Sequence, residues 1–242
     1  MQSQKKFKPA FSFEFFPPKT PKGEENLRAV RAELAKLQPR FFSVTFGAGG
    51  STRDRTYQTV MEIQGSGSAA APHISCIASS KKEIEELLLK YKEAGINHLV
   101  ALRGDMPSGT YERGEFRYAN ELVAYIRELT GKHFFIEVAA YPEFHPQAPN
   151  AETDIENFLR KVKAGADSAI TQYFYNNDSY FHFVERCEKA GVSVPVVPGI
   201  MPITNYENLA RFSDRCGAEI PRWIRKRLEA YGEDAESIKA FG

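Results

Sequence analysis

The sequence lacks the means for a disulfide framework or a thiolate metal site. Its three cysteines, Cys76, Cys187 and Cys216, are odd in number and far apart, a usage that fits a reducing compartment. It also lacks an excess of either charge. Thirty-two Lys and Arg against 31 Asp and Glu leave a formal net charge of +1, so charge announces no nucleic-acid or anionic-membrane partner. There is no apolar run of the ~18 residues a membrane span needs. The basic N-terminus, with Lys5, Lys6 and Lys8, is not followed by the apolar stretch of a secretory signal. These absences predict a cytoplasmic chain without membrane or nucleic-acid partners. Three motifs are missing too: a G-x-G-x-x-G opening a helix, a G-x-S-x-G nucleophile elbow, and a Lys-Ser/Thr ending after the turn Gly47-Ala48-Gly49-Gly50. The dinucleotide fingerprint, the serine-hydrolase elbow and the P-loop are thereby excluded.

What is present is alternation. Of the 242 residues, 42% are hydrophobic, enough for one large core. Short apolar, β-rich runs lie at 11–15, 42–46, 73–77, 98–102, 134–139, 168–173 and 194–197. Amphipathic stretches follow them at 24–37, 53–64, 81–94, 119–130, 151–164, 179–190 and 205–215, and a further helical pair runs from Pro221 to the end. Strand followed by helix, repeated, argues for parallel βα units. Three helices end in a common phrase, Glu93-Ala94-Gly95, Lys163-Ala164-Gly165 and Lys189-Ala190-Gly191, where glycine can take the left-handed conformation that stops a helix. The fold class expected is a single α/β domain over 1–242, a (β/α)8 TIM barrel. Only seven strands are visible, so the eighth strand-helix unit is expected to be missing from this chain.

Candidate chemistry gathers at strand ends, where barrels carry their active sites. In Phe11-Ser12-Phe13-Glu14-Phe15-Phe16-Pro17-Pro18, period two sets Phe11, Phe13 and Phe15 on one face and Glu14 on the other. An enclosed carboxyl among aromatics should have a raised pKa and suit a general acid; a structural carboxylate paired with a buried base is the plainer reading. The fourth strand runs into Arg103-Gly104-Asp105. Arg103 can bind a phosphate or carboxylate, Gly104 permits close approach and Asp105 can accept from a heterocycle, although a surface pair of Arg103 with Asp105 reads equally well. Tyr141 and His145 flank prolines after the fifth strand, and Glu143 offers only weak support for a metal at His145, so no metal site is assigned. His73 reads as a satisfied core histidine, and His98, His133 and His182 as structural or exposed. Gln172 shares the face of Ile170 on the sixth strand and needs a partner there. Arg160 and Lys161 read as a solvated helix face.

Taken together, seven segments resemble the flavin-dependent methylenetetrahydrofolate reductases: FSFEFFPPK (11–19), FSVTFGAGGSTRDRT (42–56), APHISC (71–76), VALRGD (100–105), AAYPEFHP (139–146), AGADSAITQYF (164–174) and VPGIMPITN (197–205). They recur in order over nearly the whole chain. The resemblance, closest to the short bacterial type, implies a barrel that binds FAD without a Rossmann motif. NADH or NADPH reduces the flavin in a ping-pong sequence. Methylenetetrahydrofolate then receives the hydride, giving methyltetrahydrofolate for methionine synthesis. It places the family's general acid at Glu14, and at Asp105 the aspartate between flavin and pterin. Gln172 falls on a substrate contact, and Thr45 beside nicotinamide and flavin. Tyr206 stands where a Phe stacks on NADH or folate. Flavin contacts fall on His73, Arg103, Gly104, Asp105, Tyr118, Tyr141, His145 and Ala148, and the contacts to ribose, adenine and phosphate on Asp154, Asn157, Arg160 and Lys161. A homo-oligomer is expected by family analogy. Three other readings compete with it: a proline-dehydrogenase-like flavin barrel, a flavin-free relative that transfers hydride directly, and a non-catalytic folate-binding or partner-dependent subunit.

Overall fold

The computed structural model describes residues 2–46, 52–105 and 114–242. After a short 3-10 turn at Gln2–Gln4, strands and helices alternate: β1 (Phe13–Phe15), α1 (Pro21–Ala35), β2 (Phe42–Val44), α2 (Arg53–Gly65), β3 (Ala70–Ser75), α3 (Lys81–Glu93), β4 (His98–Leu102), α4 (Ala119–Thr130), β5 (Phe135–Ala140), α5 (Ala151–Lys163), β6 (Ser168–Thr171), α6 (Asn177–Lys189), β7 (Val196–Val197) and α7 (Tyr206–Cys216). Helices α8 (Arg222–Tyr231) and α9 (Ala235–Phe241) close the chain. The strands are ordered β1 to β7 in one sheet, and the strand pairs resolved are parallel. This is the strand order of a (β/α)8 barrel with seven of its eight units. Two elements begin three residues earlier than the sequence reading places them: α1 at Pro21, where Thr20 caps it, and β3. β3 begins at Ala70, not after Pro72, because Ala70 and Ala71 are themselves fully buried and extend the pairing with β2.

Local chemistry explains the punctuation. Ser80 and Glu83 form a reciprocal capping box at the start of α3, satisfying N–H groups that the first turn leaves unpaired. The three Gly phrases take positive φ, +75° at Gly95, +114° at Gly165 and +78° at Gly191. Behind Gly95 and Gly191 the chain doubles back, with Ile96 N–H donating to Tyr91 O and Val192 N–H to Cys187 O, the bonds of a left-handed helix stop.

Contacts group the described chain into two compact units: an N-terminal unit (Phe7–Val138 with Lys163–Asp167) and a C-terminal unit (Met1–Lys6, Ala139–Val162 and Ser168–Gly242). In the N-terminal unit the register gives each strand two unlike faces. Phe42, Val44, Ile74, Leu99, Ala101, Ile136 and Val138 share the apolar face and are almost completely buried. Glu14, Ser43, His73, Ser75, His98 and Glu137 share the other. Arg127 ties the corners of this unit together, donating to the carbonyls of Gly131, Phe134 and Gly165 and pairing with Asp167. Asp167 in turn accepts the N–H of Ile136 at 2.8 Å. In the C-terminal unit, α7, α8 and α9 supply Leu209, Ile224, Leu228 and Ile238 to one buried apolar cluster, joined by Tyr173, Ile203, Ala218 and Ile220.

Candidate active site

In the N-terminal unit the polar strand face holds the candidate acid. Glu14 pairs in register with Ser43 and Ser43 with Ala71. His73, two residues on, therefore projects to the same side. Its Nε2 lies 3.4 Å from Glu14 Oε2. The imidazole is buried, and Nε2 makes no aligned hydrogen bond among the described residues, so His73 is not the satisfied core histidine that the sequence suggested. Glu14 is half-exposed, 49% at the side chain. Burial, the largest single influence, pushes its carboxyl up, but the charge and polar contact of the facing His73 together outweigh it, and the net shift is below the ordinary carboxylate range. This corrects the expectation of a raised pKa: the sequence did not show that the third strand delivers a base to the carboxylate.

The Arg-Gly-Asp turn leaves the end of β4 on a backbone held from below. Ser75 Oγ donates to Arg103 O at 2.8 Å, and Ile77 N–H donates to the same oxygen at 2.8 Å. Gly104 sits at φ +83°, and a Cβ there would come within 1.8 Å of Ser75 Oγ. Only glycine fits. Arg103 Nε donates to Gly104 O, and Asp105 is exposed. Tyr118, at the N-cap of α4, is exposed too. Thr45 N–H donates to Phe15 O, and Thr45 O accepts from Thr56 Oγ1. The Gly47–Gly50 turn lies outside the described residues.

In the C-terminal unit the loop after β5 brings together Tyr141, His145 and residues of α5. The rings of Tyr141 and His145 meet edge to face at 4.6 Å. His145 N–H donates to Asp154 Oδ2 at 3.1 Å, and His145 O accepts from Ala148 N–H. Lys161 does not belong to a solvated helix face: its ammonium donates to Ala139 O and lies 5.9 Å from the Tyr141 ring centroid and 5.8 Å from that of Phe158. Burial lowers its pKa to about 8, against the opposing charge of Asp154. Burial likewise raises the Asp154 carboxyl, against the His145 N–H and Lys161. Arg160 does fit the solvated reading, being exposed and bonded to Asn157 Oδ1. Gln172 is partly exposed, its N–H donating to Ala140 O. Tyr206, the first residue of α7, packs partly buried against the apolar cluster.

A family model described as methylenetetrahydrofolate reductase matches residues 1–242. The 5,10-methylenetetrahydrofolate reductase of Escherichia coli (strain K12) is 42% identical over 232 residues, covering 96% of this chain and 77% of that one. The chain belongs to the methylenetetrahydrofolate reductase family. The Arabidopsis thaliana protein named methylenetetrahydrofolate reductase (NADH) 1 is 38% identical over 247 residues, 96% of this chain and 42% of its own. Among solved structures, an uncharacterized Clostridium thermocellum protein titled as binding two copies of 5-methyl-5,6,7,8-tetrahydrofolic acid shares the fold. Its TM-score is 0.67 at 14% identity, over 99% of this chain and 83% of that one. A 3-dehydroquinate dehydratase from Geobacillus kaustophilus does so at TM-score 0.52 and 13% identity, with 93% and 91% covered.

The residues of this reductase-family chain fit a phosphate-bearing, flat cofactor such as FAD. Lys161 is a cation whose proton is loosened by desolvation, and an anionic group would restore it. Tyr141 offers a ring beside that cation. Three residues with defined places went unassigned in the sequence: Ser75 under Gly104, Glu137 bonded to His98, and Glu143. For Ser75 the signal was available, since period two along β3 puts it on the face of His73; Glu137 reaches that face only through the registers of β3, β4 and β5. Among the described residues no group of three or more His, Cys, Asp or Glu gathers as a metal site, and no helix is long and apolar enough to cross a membrane.

Proposed function

We propose that this chain reduces 5,10-methylenetetrahydrofolate to 5-methyltetrahydrofolate, with FAD as bound cofactor and NADH or NADPH as reductant in a ping-pong sequence. The supporting observation is the Glu14–His73 pair at the open end of a polar strand face, in a chain matched along its whole length by the family model. Bound flavin would supply hydride transfer in both directions. What the chain's own residues do follows from their chemistry. Glu14, held ionised by His73, must take up a proton before it can protonate the folate and help open its ring to an iminium. His73 Nε2, 3.4 Å away, is the neighbouring group that can hand over that proton. Asp105 contributes a fixed negative charge that stabilises the folate cation.

The remaining roles are binding roles. Thr45, His73, Arg103, Gly104, Tyr118, Tyr141, His145, Ala148, Asp154, Asn157, Arg160 and Lys161 are the residues assigned to the flavin in this reading. Gln172 and Tyr206 contact the substrate, Tyr206 by stacking. The working chain is a cytoplasmic, single-domain homo-oligomer that supplies methyl groups for methionine synthesis.

The test is an anaerobic visible spectrum of the purified protein with added FAD. A flavin band that bleaches on adding NADH or NADPH and returns with methylenetetrahydrofolate establishes both half-reactions. A protein that takes up no FAD leaves the fold in place and removes the flavoenzyme reading.

A further inference from the structure

The loop that carries Tyr141 and His145 is held from two directions within the C-terminal unit. One hold is Asp154, which accepts the His145 N–H. The other comes from the corner between α7 and α8. There Gly217 stops α7 at φ +72°, with its N–H and that of Ala218 both donating to Ser213 O. Ala218 and Ile220 are buried in the apolar cluster. The corner is thus fixed by its own backbone bonds and by core packing, and it leaves the N–H of Glu219 pointing outward from a rigid support. Glu143 Oε2 accepts that N–H at 2.8 Å. Pro146 rests against the same corner so closely that a Cβ on Gly217 would come within 2.7 Å of its Cγ. The two contacts bracket His145. Between them Phe144 adopts φ +56°, a conformation that costs a non-glycine residue and persists only where its surroundings enforce it.

The second carboxylate oxygen sharpens the point. Glu143 Oε1 is buried and has no hydrogen-bond partner among the described residues. A carboxylate with one satisfied oxygen and one buried bare oxygen is a costly anchor, and Glu143 takes no part in the roles assigned above.

We propose that Glu143 is a positioning residue, which pins the Tyr141–Ala148 loop to the α7–α8 corner through the Glu219 N–H and so sets Tyr141 and His145 in the pose that receives the flavin. Its flavin clause rests on the reading given under Proposed function; its loop clause does not. What Glu143 contributes is an acceptor at a given reach, not a charge. Glutamine keeps that acceptor and removes the charge, so Glu143→Gln retains the pose. Aspartate falls one methylene short, and alanine has no acceptor at all.

Hydrogen exchange and FAD titration on the full chain separate the two clauses. In Glu143→Ala and Glu143→Asp the amides of Phe144, His145, Gln147 and Ala148 should exchange at least about tenfold faster than in wild type, and FAD should bind roughly tenfold more weakly, the scale of one lost hydrogen bond. Glu143→Gln should match wild type in both. The flavin spectrum is the signature that a merely structural role would not move: its band position and quenching should change in the alanine and aspartate variants and stay in the glutamine one. Unchanged exchange in Glu143→Asp overturns the proposal, as does a glutamine variant that behaves like alanine. If His145→Ala binds FAD as wild type does, or wild type binds none, the flavin reading falls, while the exchange rates still decide whether Glu143 holds the loop. Should Glu143→Ala not fold, the aspartate and glutamine variants carry the comparison.

Discussion

Two carboxylate–imidazole pairs occupy the same strand face of the N-terminal unit, and they differ chiefly in access. Glu14 and His73 approach to 3.4 Å with the carboxylate 49% exposed; His98 and Glu137 approach to 3.2 Å with neither side chain above 8%. The sealed pair is walled by aromatics, the His98 ring lying tilted at 4.3 Å from that of Phe41 and 4.6 Å from that of Phe135. Glu137 Oε2 is buried there with no hydrogen-bond partner among the described residues. The chemistry of the two pairs is the same and their surroundings assign the labour. An open carboxylate can exchange its proton with a ligand. A closed one can only hold strands together, and it does so at the expense of stripping two polar groups of water.

The largest expected effect tests the open pair. Glu14→Gln should keep flavin binding and reduction by NADH or NADPH while slowing folate reduction by roughly 10²–10⁴, the range of a lost general acid. Stopped-flow measurement of each half-reaction reads this directly, and a normal folate half-reaction would remove Glu14 from the role. The sealed pair should respond in the opposite way. Glu137→Leu leaves His98 alone in an apolar setting and should cost about 3–5 kcal/mol of stability in urea unfolding, with both half-reactions intact in the molecules that remain folded. Replacing both members, Glu137→Leu with His98→Leu, should recover much of that loss, because two apolar groups leave nothing buried and unpaired. A folate rate that collapses in Glu137→Leu at full folding would show that the sealed pair is not merely structural.

The faces that carry these pairs were only half legible in the sequence. The seven strands, their order and most helix bounds follow from apolar periodicity and from the Gly phrases at 95, 165 and 191, because those signals are local. Period two also put Glu14 opposite its phenylalanines. What periodicity cannot supply is register. Pairing Glu14 with His73 needs β1, β2 and β3 aligned residue by residue, and a shift of one would turn His73 to the other face. The downward shift at Glu14 was missed for that reason. His98 and Glu137 lie 39 positions apart and meet through the same alignment. Lys161 shows a different limit. It stands beside Arg160 on a helix with acidic and basic neighbours, and nothing in composition separates the member that turns inward to Ala139 O from the one that stays in water.

Lys161 gives the smallest effect, and the one that sets the C-terminal unit against the N-terminal one. At Glu14 the charge and polar contact of His73 together outweigh burial; at Lys161 burial outweighs the facing charge, and the pKa falls to about 8. An anionic cofactor should bind the protonated form. FAD affinity should therefore be flat below pH 8 and fall above it as the ammonium empties. Lys161→Met should bind FAD about tenfold more weakly at pH 7 and lose that pH dependence, as a fluorescence titration between pH 6 and 10 (roughly two units either side of the shifted value) will read. The sign for folding without cofactor is the reverse. Because the folded pKa lies below the unfolded one, the unfolded chain binds more protons between pH 8 and the ordinary lysine value of 10.5, so this residue's contribution to stability rises across that window. Lys161→Met should flatten that rise. If the methionine variant keeps the wild-type pH profile of FAD binding, the titrating group lies elsewhere and Lys161 is only a helix anchor.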